Sequence, residues 1–175
     1  MSTTYLKFDK DSPEMQVLAV WWLALDENRG DRADLRRCAT LAEVVFTPAY
    51  HRLRLAVGKF GVNNADALAL VAGLAARVKN DIADSTFAEQ MATPKDPTSR
   101  DGKARESGLR FRRLLKIKDK ELEELFTAMG RVVALLGGSV DLQSLAKSVY
   151  LWNDRYADIR KEWAFKYYSK SPSEQ

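Results

Sequence analysis

One cysteine and one histidine are all that 175 residues offer for thiolate or imidazole chemistry. A lone Cys38 excludes an intramolecular disulfide and fits a reducing compartment. A lone His51 excludes a histidine-rich metal site, and any Ser-His-Asp or Cys-His arrangement would have to use that one ring. Its neighbours Tyr50, Arg52 and Leu53 suit a partly buried or phosphate-facing histidine better than a catalytic one. Long apolar runs are missing: none approaches the ~20 residues of a membrane span. The first residues, MSTTYLKFDKD, are too short and polar for a signal peptide. No glycine-rich loop opens a helix, since Gly137-Gly138 follows a helical pattern and so has the wrong polarity for anion capture. The carboxylate pairs Asp9/Asp11 and Asp81/Asp84 sit near a terminus and on a helix exterior, poor places for a metal. These absences predict a soluble, cytoplasmic chain with no membrane partner, metal, cofactor or catalytic residue.

Helical signals are abundant. Apolar residues make up 46% of the chain, enough for a real core. Leu18, Trp21, Trp22 and Leu25 fall at i, i+3, i+4 and i+7, behind a start at Ser12-Pro13-Glu14. Gly30 then reads as a turn and Asp31 as the N-cap of a short helix, with Leu35 and Cys38 inward and Arg32 and Arg36 solvated. Thr47-Pro48 opens a helix through Tyr50, Leu53 and Val57, and Asn64 precedes an alanine-rich one with Leu68, Val71, Ala72, Ala75 and Val78 inward. Asp119 is placed to cap the run Leu122, Leu125, Phe126, Met129, Val132, Val133 and Leu136, which stops at Gly137-Gly138. Asp141 and Asp154 would start two more, the last carrying Tyr156, Ile159, Trp163 and Tyr167. Period-2 alternation is absent. An all-α fold follows, with residues 1–92 and 109–175 as two small helical bundles joined by a basic, mobile loop at 93–108, a stretch of proline, glycine and charge with Ala104 as its one apolar residue.

Charge is concentrated. Residues 93–120 hold ten Lys/Arg against four Asp/Glu, while the remainder is near balance, so the net +4 comes from this one segment. Arg110, Arg112, Arg113, Lys116, Lys118 and Lys120 fall within eleven residues, opposed by Asp119 alone. Leu109, Phe111, Leu114, Leu115 and Ile117 supply anchors that a free tail would not need. A structured basic ridge of this kind is the footprint of a polyanion binder. Trp21, Trp152 and Trp163 sit at core-periodic positions, so backbone contact outweighs base stacking and binding should be nearly independent of sequence.

Trp22, Arg29-Gly30, Ala33, Leu35-Arg36-Arg37 and Pro48-Ala49-Tyr50-His51-Arg52-Leu53 form two blocks that resemble the CasB family, the small subunit of the type I-E CRISPR surveillance complex Cascade. Weaker echoes lie in Leu114-Leu115-Lys116 ahead of Asp119, in Arg131 with Leu135-Leu136, and from Trp152 to Arg155. The resemblance implies a helical, non-catalytic subunit, present as a pair within the complex, that lies along the guide-RNA filament and helps to hold the R-loop open. Its partners would be the other Cascade subunits, guide RNA, the displaced strand of target DNA and a second copy of itself. It brings Arg37, Lys116, Lys120, Arg131 and Arg155 forward as nucleic-acid contacts, and Arg36 and Lys118 join them as neighbours in the pattern. The chain departs from the family at Asp154, where a basic residue can stand, which weakens the patch near Arg155. A helical adaptor whose basic ridge meets an acidic protein surface is the alternative.

Overall fold

The computed structural model describes residues 4–96, 98 and 102–172. In chain order its elements are α1 (Pro13–Glu27), α2 (Arg29–Arg37), α3 (Leu41–Val45), α4 (Pro48–Gly58), α5 (Ala65–Ala75), β1 (Asn80–Asp81), α6 (Phe87–Ala92), α7 (Gly108–Leu115), α8 (Leu122–Leu135), β2 (Ser139–Val140), α9 (Leu142–Tyr150) and α10 (Ile159–Lys170). The two-residue strands pair in parallel, Asn80 opposite Ser139 and Asp81 opposite Val140, and the fold is otherwise all-α. Among the described residues no helix is long and apolar enough to cross a membrane.

Caps explain most helix starts. Ser12 accepts from the Met15 amide at 3.2 Å, Thr47 from Tyr50 at 3.3 Å, Asn64 from Ala67 at 3.1 Å and Asp141 from Ser144 at 3.2 Å, each filling one of the donors a helix leaves open. Three expected starts lie elsewhere. α2 begins one residue after α1 ends, with Asn28 between them, so Gly30 and Asp31 belong to its first turn. α8 starts after Glu121, and Asp119 instead accepts from Arg160 at 2.8 Å. α10 starts after Asp158, while Asp154 takes the amides of Tyr156 and Ala157 at 2.8 and 3.2 Å and leaves Tyr156 exposed. A short carboxylate satisfies the amides of any tight turn, so it marks a chain reversal as readily as a helix. α3 and α6, of five and six residues, are too short to show a period.

α5 is the axis of the molecule. Residues 67–76 are buried on every side, where one inward stripe was expected, because α3, α4, α8 and α9 all pack against it. The α5–α8 approach is close: a Cβ on Gly73 would lie 2.6 Å from Cε2 of Phe126. α1 packs on α4 and α2, and α6 on α10. The two halves expected as separate bundles therefore meet in one hydrophobic cluster that runs from Leu6 to Tyr167. The connection at 93–108 is tied at its base by a bridge between Pro94 and Ala104, by the Glu106 amide on the Met91 carbonyl at 3.0 Å and by the Tyr167 hydroxyl on the Glu106 carbonyl at 2.6 Å. The mobility expected of this loop falls partly on residues 97 and 99–101, which lie outside the described residues.

Candidate nucleic-acid interface

The basic ridge is α7 and the turn after it. Phe111, Leu114 and Ile117 are buried, with Phe111 stacked on Tyr167 at 3.9 Å between ring centroids. Leu109, expected as an anchor, is exposed, since it lies on the first turn of α7 away from that stack. The turn itself is fixed from the other side of the sequence. The Ile117 carbonyl accepts from Trp152 Nε1 at 3.3 Å and from Arg160 at 2.6 Å, and the Arg160 guanidinium lies 5.1 Å above the Trp152 ring. Two rigid side chains thus pin the backbone from which Lys116, Lys118 and Lys120 project.

All seven residues singled out from the sequence, Arg36, Arg37, Lys116, Lys118, Lys120, Arg131 and Arg155, are exposed. Five of them gather. Lys116, Lys118 and Lys120 line one cleft with Asp119 and Arg160. Those last two residues also line the adjoining cleft that holds Arg155, whose guanidinium lies 5.1 Å from the Tyr156 ring centre. On the other flank, Ile117 is shared with a groove of about 400 Å³ between α7 and α8, lined by Arg131, Arg110 and Arg113. Arg110 and Arg113 make no ion pair among the described residues, and sequence clustering had already marked them as part of the ridge. Arg160 had no such signal, being 41 residues from the Asp119 it binds.

The groove floor carries a surprise for a basic site. Glu106 is 6% exposed and one of its carboxyl oxygens has no hydrogen-bond partner. Burial pushes its pKa up, opposed by Arg110 and the Ser107 amide.

Arg36 and Arg37 do not join this group. Arg37, the last residue of α2, is paired with Asp34 at 2.9 Å in a solvated contact worth little. Arg36 faces a different cleft, with Arg77 and Lys79. Arg32, expected to be solvated, is largely buried: it donates to the carbonyls of Ala76 at 3.3 Å and Val78 at 2.5 Å and pairs with Asp26. It closes the end of α5, where carbonyls lack helical partners.

Groups that could do chemistry are engaged structurally. His51 Nε2 lies 2.7 Å from the Val45 carbonyl, to which it donates, and its Nδ1 accepts from Arg54 Nε at 3.4 Å. Cys38 is buried and lies 3.2 Å from the Asp34 carbonyl, and burial raises its pKa. Asp9 pairs with Lys147 at 2.7 Å, and Asp81 accepts the Leu142 amide at 3.0 Å. Among the described residues no three His, Cys, Asp or Glu side chains converge as a metal site would require.

Two crystal structures share the fold. One is CasB from Thermus thermophilus, the other a CRISPR-associated protein of the Cse2 family from the same organism. Each aligns with a TM-score of 0.62 at 24% identity and covers 90% of this chain and 99% of its own. No curated protein matches the sequence. The family model for CRISPR-associated protein Cse2 matches residues 31–168, a span that holds the α2 arginines from Arg32 onward, the α7 ridge and the turn that follows it. The chain belongs to the Cse2 family of CRISPR-associated proteins.

Proposed function

We propose that the chain is a non-catalytic, nucleic-acid-binding small subunit of a type I-E Cascade complex, which holds the displaced DNA strand and so keeps the R-loop open during antiviral interference. The observation that carries this reading is the gathering of Lys116, Lys118, Lys120, Arg131 and Arg155 around three adjoining clefts, on a backbone pinned by Trp152 and Arg160. Cations on a fixed frame meet phosphates without ordering a flexible tail first, and they read no bases. In RNA-guided recognition base pairing supplies sequence, which leaves the protein to hold backbone. Guide RNA, the other Cascade subunits and a second copy of the chain complete the assembly.

The test is a complex reconstituted with Lys116, Lys120, Arg131 and Arg155 replaced together by alanine. The variant complex assembles and pairs guide with target, but its R-loop closes sooner than wild type and strand cleavage by the recruited helicase-nuclease falls. Loss of assembly with unchanged DNA affinity would mean that these side chains meet a protein, as the adaptor reading requires.

A further inference from the structure

α2 carries four arginines, and the structure divides them. Arg32 and Arg37 are bound to Asp26 and Asp34. Arg29 and Arg36, seven residues apart and so on one face, make no ion pair among the described residues. That face looks into two adjoining clefts of about 510 and 420 Å³, which share Arg36 and Lys79. Lys79 makes no ion pair there either. The one carboxylate in the lining, Asp26, is taken by Arg32.

The cations are placed there by the fold. Arg77 is held by its bond to the Cys38 carbonyl at 2.9 Å and by the Phe126 ring, 4.7 Å from its guanidinium carbon. The Lys79 stem runs against Gly138, where a Cβ would sit 2.9 Å from Lys79 Cγ, and the Lys79 amide donates to the Gly138 carbonyl at 2.8 Å. Like charges brought together without a counter-charge repel one another, and an anion in the cleft relieves that cost.

We propose that this cleft, between α2 and the turn that follows α8, seats the sugar–phosphate backbone of a single-stranded nucleic acid, with Arg29, Arg36 and Lys79 on phosphate oxygens and Arg77 positioning that wall. The proposal rests on the nucleic-acid reading above and adds a second contact face, remote in sequence from the α7 ridge. A strand engaged at both faces would be held at two points along its length, and the second engagement would become effectively intramolecular.

Two measurements on the full chain test it. Acetylation of Lys79 by an amine-reactive reagent, read by mass spectrometry, falls when oligo-dT is bound, while exposed Lys7 reacts as before. In Arg36→Gln/Lys79→Gln, the slope of log affinity for oligo-dT against log salt becomes shallower by about 1.4 units, the single-strand value for two phosphates. An unprotected Lys79 together with an unchanged slope overturns the proposal. Protection by poly-glutamate with no change in the DNA slope overturns it too, in favour of an acidic protein segment. If Lys116, Lys120, Arg131 and Arg155 govern the slope while Arg36 and Lys79 do not, this inference falls and the proposed function stands. If the wild-type chain shows no salt-dependent binding of oligo-dT, both fall.

Discussion

α2 and α7 are two short helices of similar basicity, RGDRADLRR and GLRFRRLL, and they use their arginines differently. In α2, aspartates are interleaved and Arg32 turns inward to the carbonyls of Ala76 and Val78. In α7 no carboxylate is interleaved, and Arg110 and Arg113 line an open groove with Arg131. Counting arginines alone gives four in α2 and three in α7. Within α2 the division follows the acceptors in reach: Arg32 has two carbonyls and Asp26, Arg37 has Asp34, and Arg29 and Arg36 make no ion pair among the described residues.

Substitutions can break this comparison at several depths. The largest effect belongs to the frame beneath α2: Trp22 is buried and its Nε1 donates to the same Val78 carbonyl at 3.1 Å, so Trp22→Ala costs about 3 to 5 kcal/mol by chemical denaturation. Arg32→Ala comes next, at roughly 1.5 to 3 kcal/mol, because the Ala76 carbonyl loses its side-chain donor, the Val78 carbonyl keeps only Trp22, and the ion pair with Asp26 is gone. Gly73→Ala costs about 1 to 3 kcal/mol, since its Cβ would overlap Phe126 and push α8 away from α5. Arg36→Ala, four residues on from Arg32, stays within about 0.5 kcal/mol, as do solvated residues generally. Equal losses at Arg32 and Arg36 would contradict the division of α2 into structural and displayed arginines.

A further effect on stability is a pH dependence in the α7 groove. Glu106 has a pKa raised by burial, so its protonated form favours folding. That contribution is complete below the ordinary carboxyl value and is lost as pH rises through the folded value. Glu106→Gln, which cannot ionise, therefore melts like wild type in acid and is more stable by about 1 kcal/mol at neutral pH. A variant less stable than wild type at neutral pH would mean that the carboxylate is instead a needed partner of the arginine rim.

Local chemistry made much of this legible from sequence. Caps at Ser12, Thr47, Asn64 and Asp141 and the stop at Gly137-Gly138, whose φ values are +68° and +75°, depend on neighbours within a few residues. Of the anchors expected in the basic stretch, Phe111, Leu114 and Ile117 are buried, whereas Leu109 is exposed. What pattern could not supply was contact at a distance. Arg160 on Ile117, Arg32 on Val78 and the burial of α5 on all sides arise from elements packed together across the chain. Arg36 and Lys79 share a cleft for the same reason. Asp119 and Asp154 misled because a carboxylate next to a turn looks like one next to a helix.

Salt dependence of single-stranded DNA binding by the isolated chain tests the central claim, that exposed cations around α7 and its turn neutralise phosphates. Lys116, Lys120, Arg131 and Arg155 changed together to alanine leave helical content and melting near wild type, yet make the slope of log affinity against log salt shallower by about 3 units, the single-strand value for four phosphates. A slope unchanged from wild type in a folded variant would contradict the account.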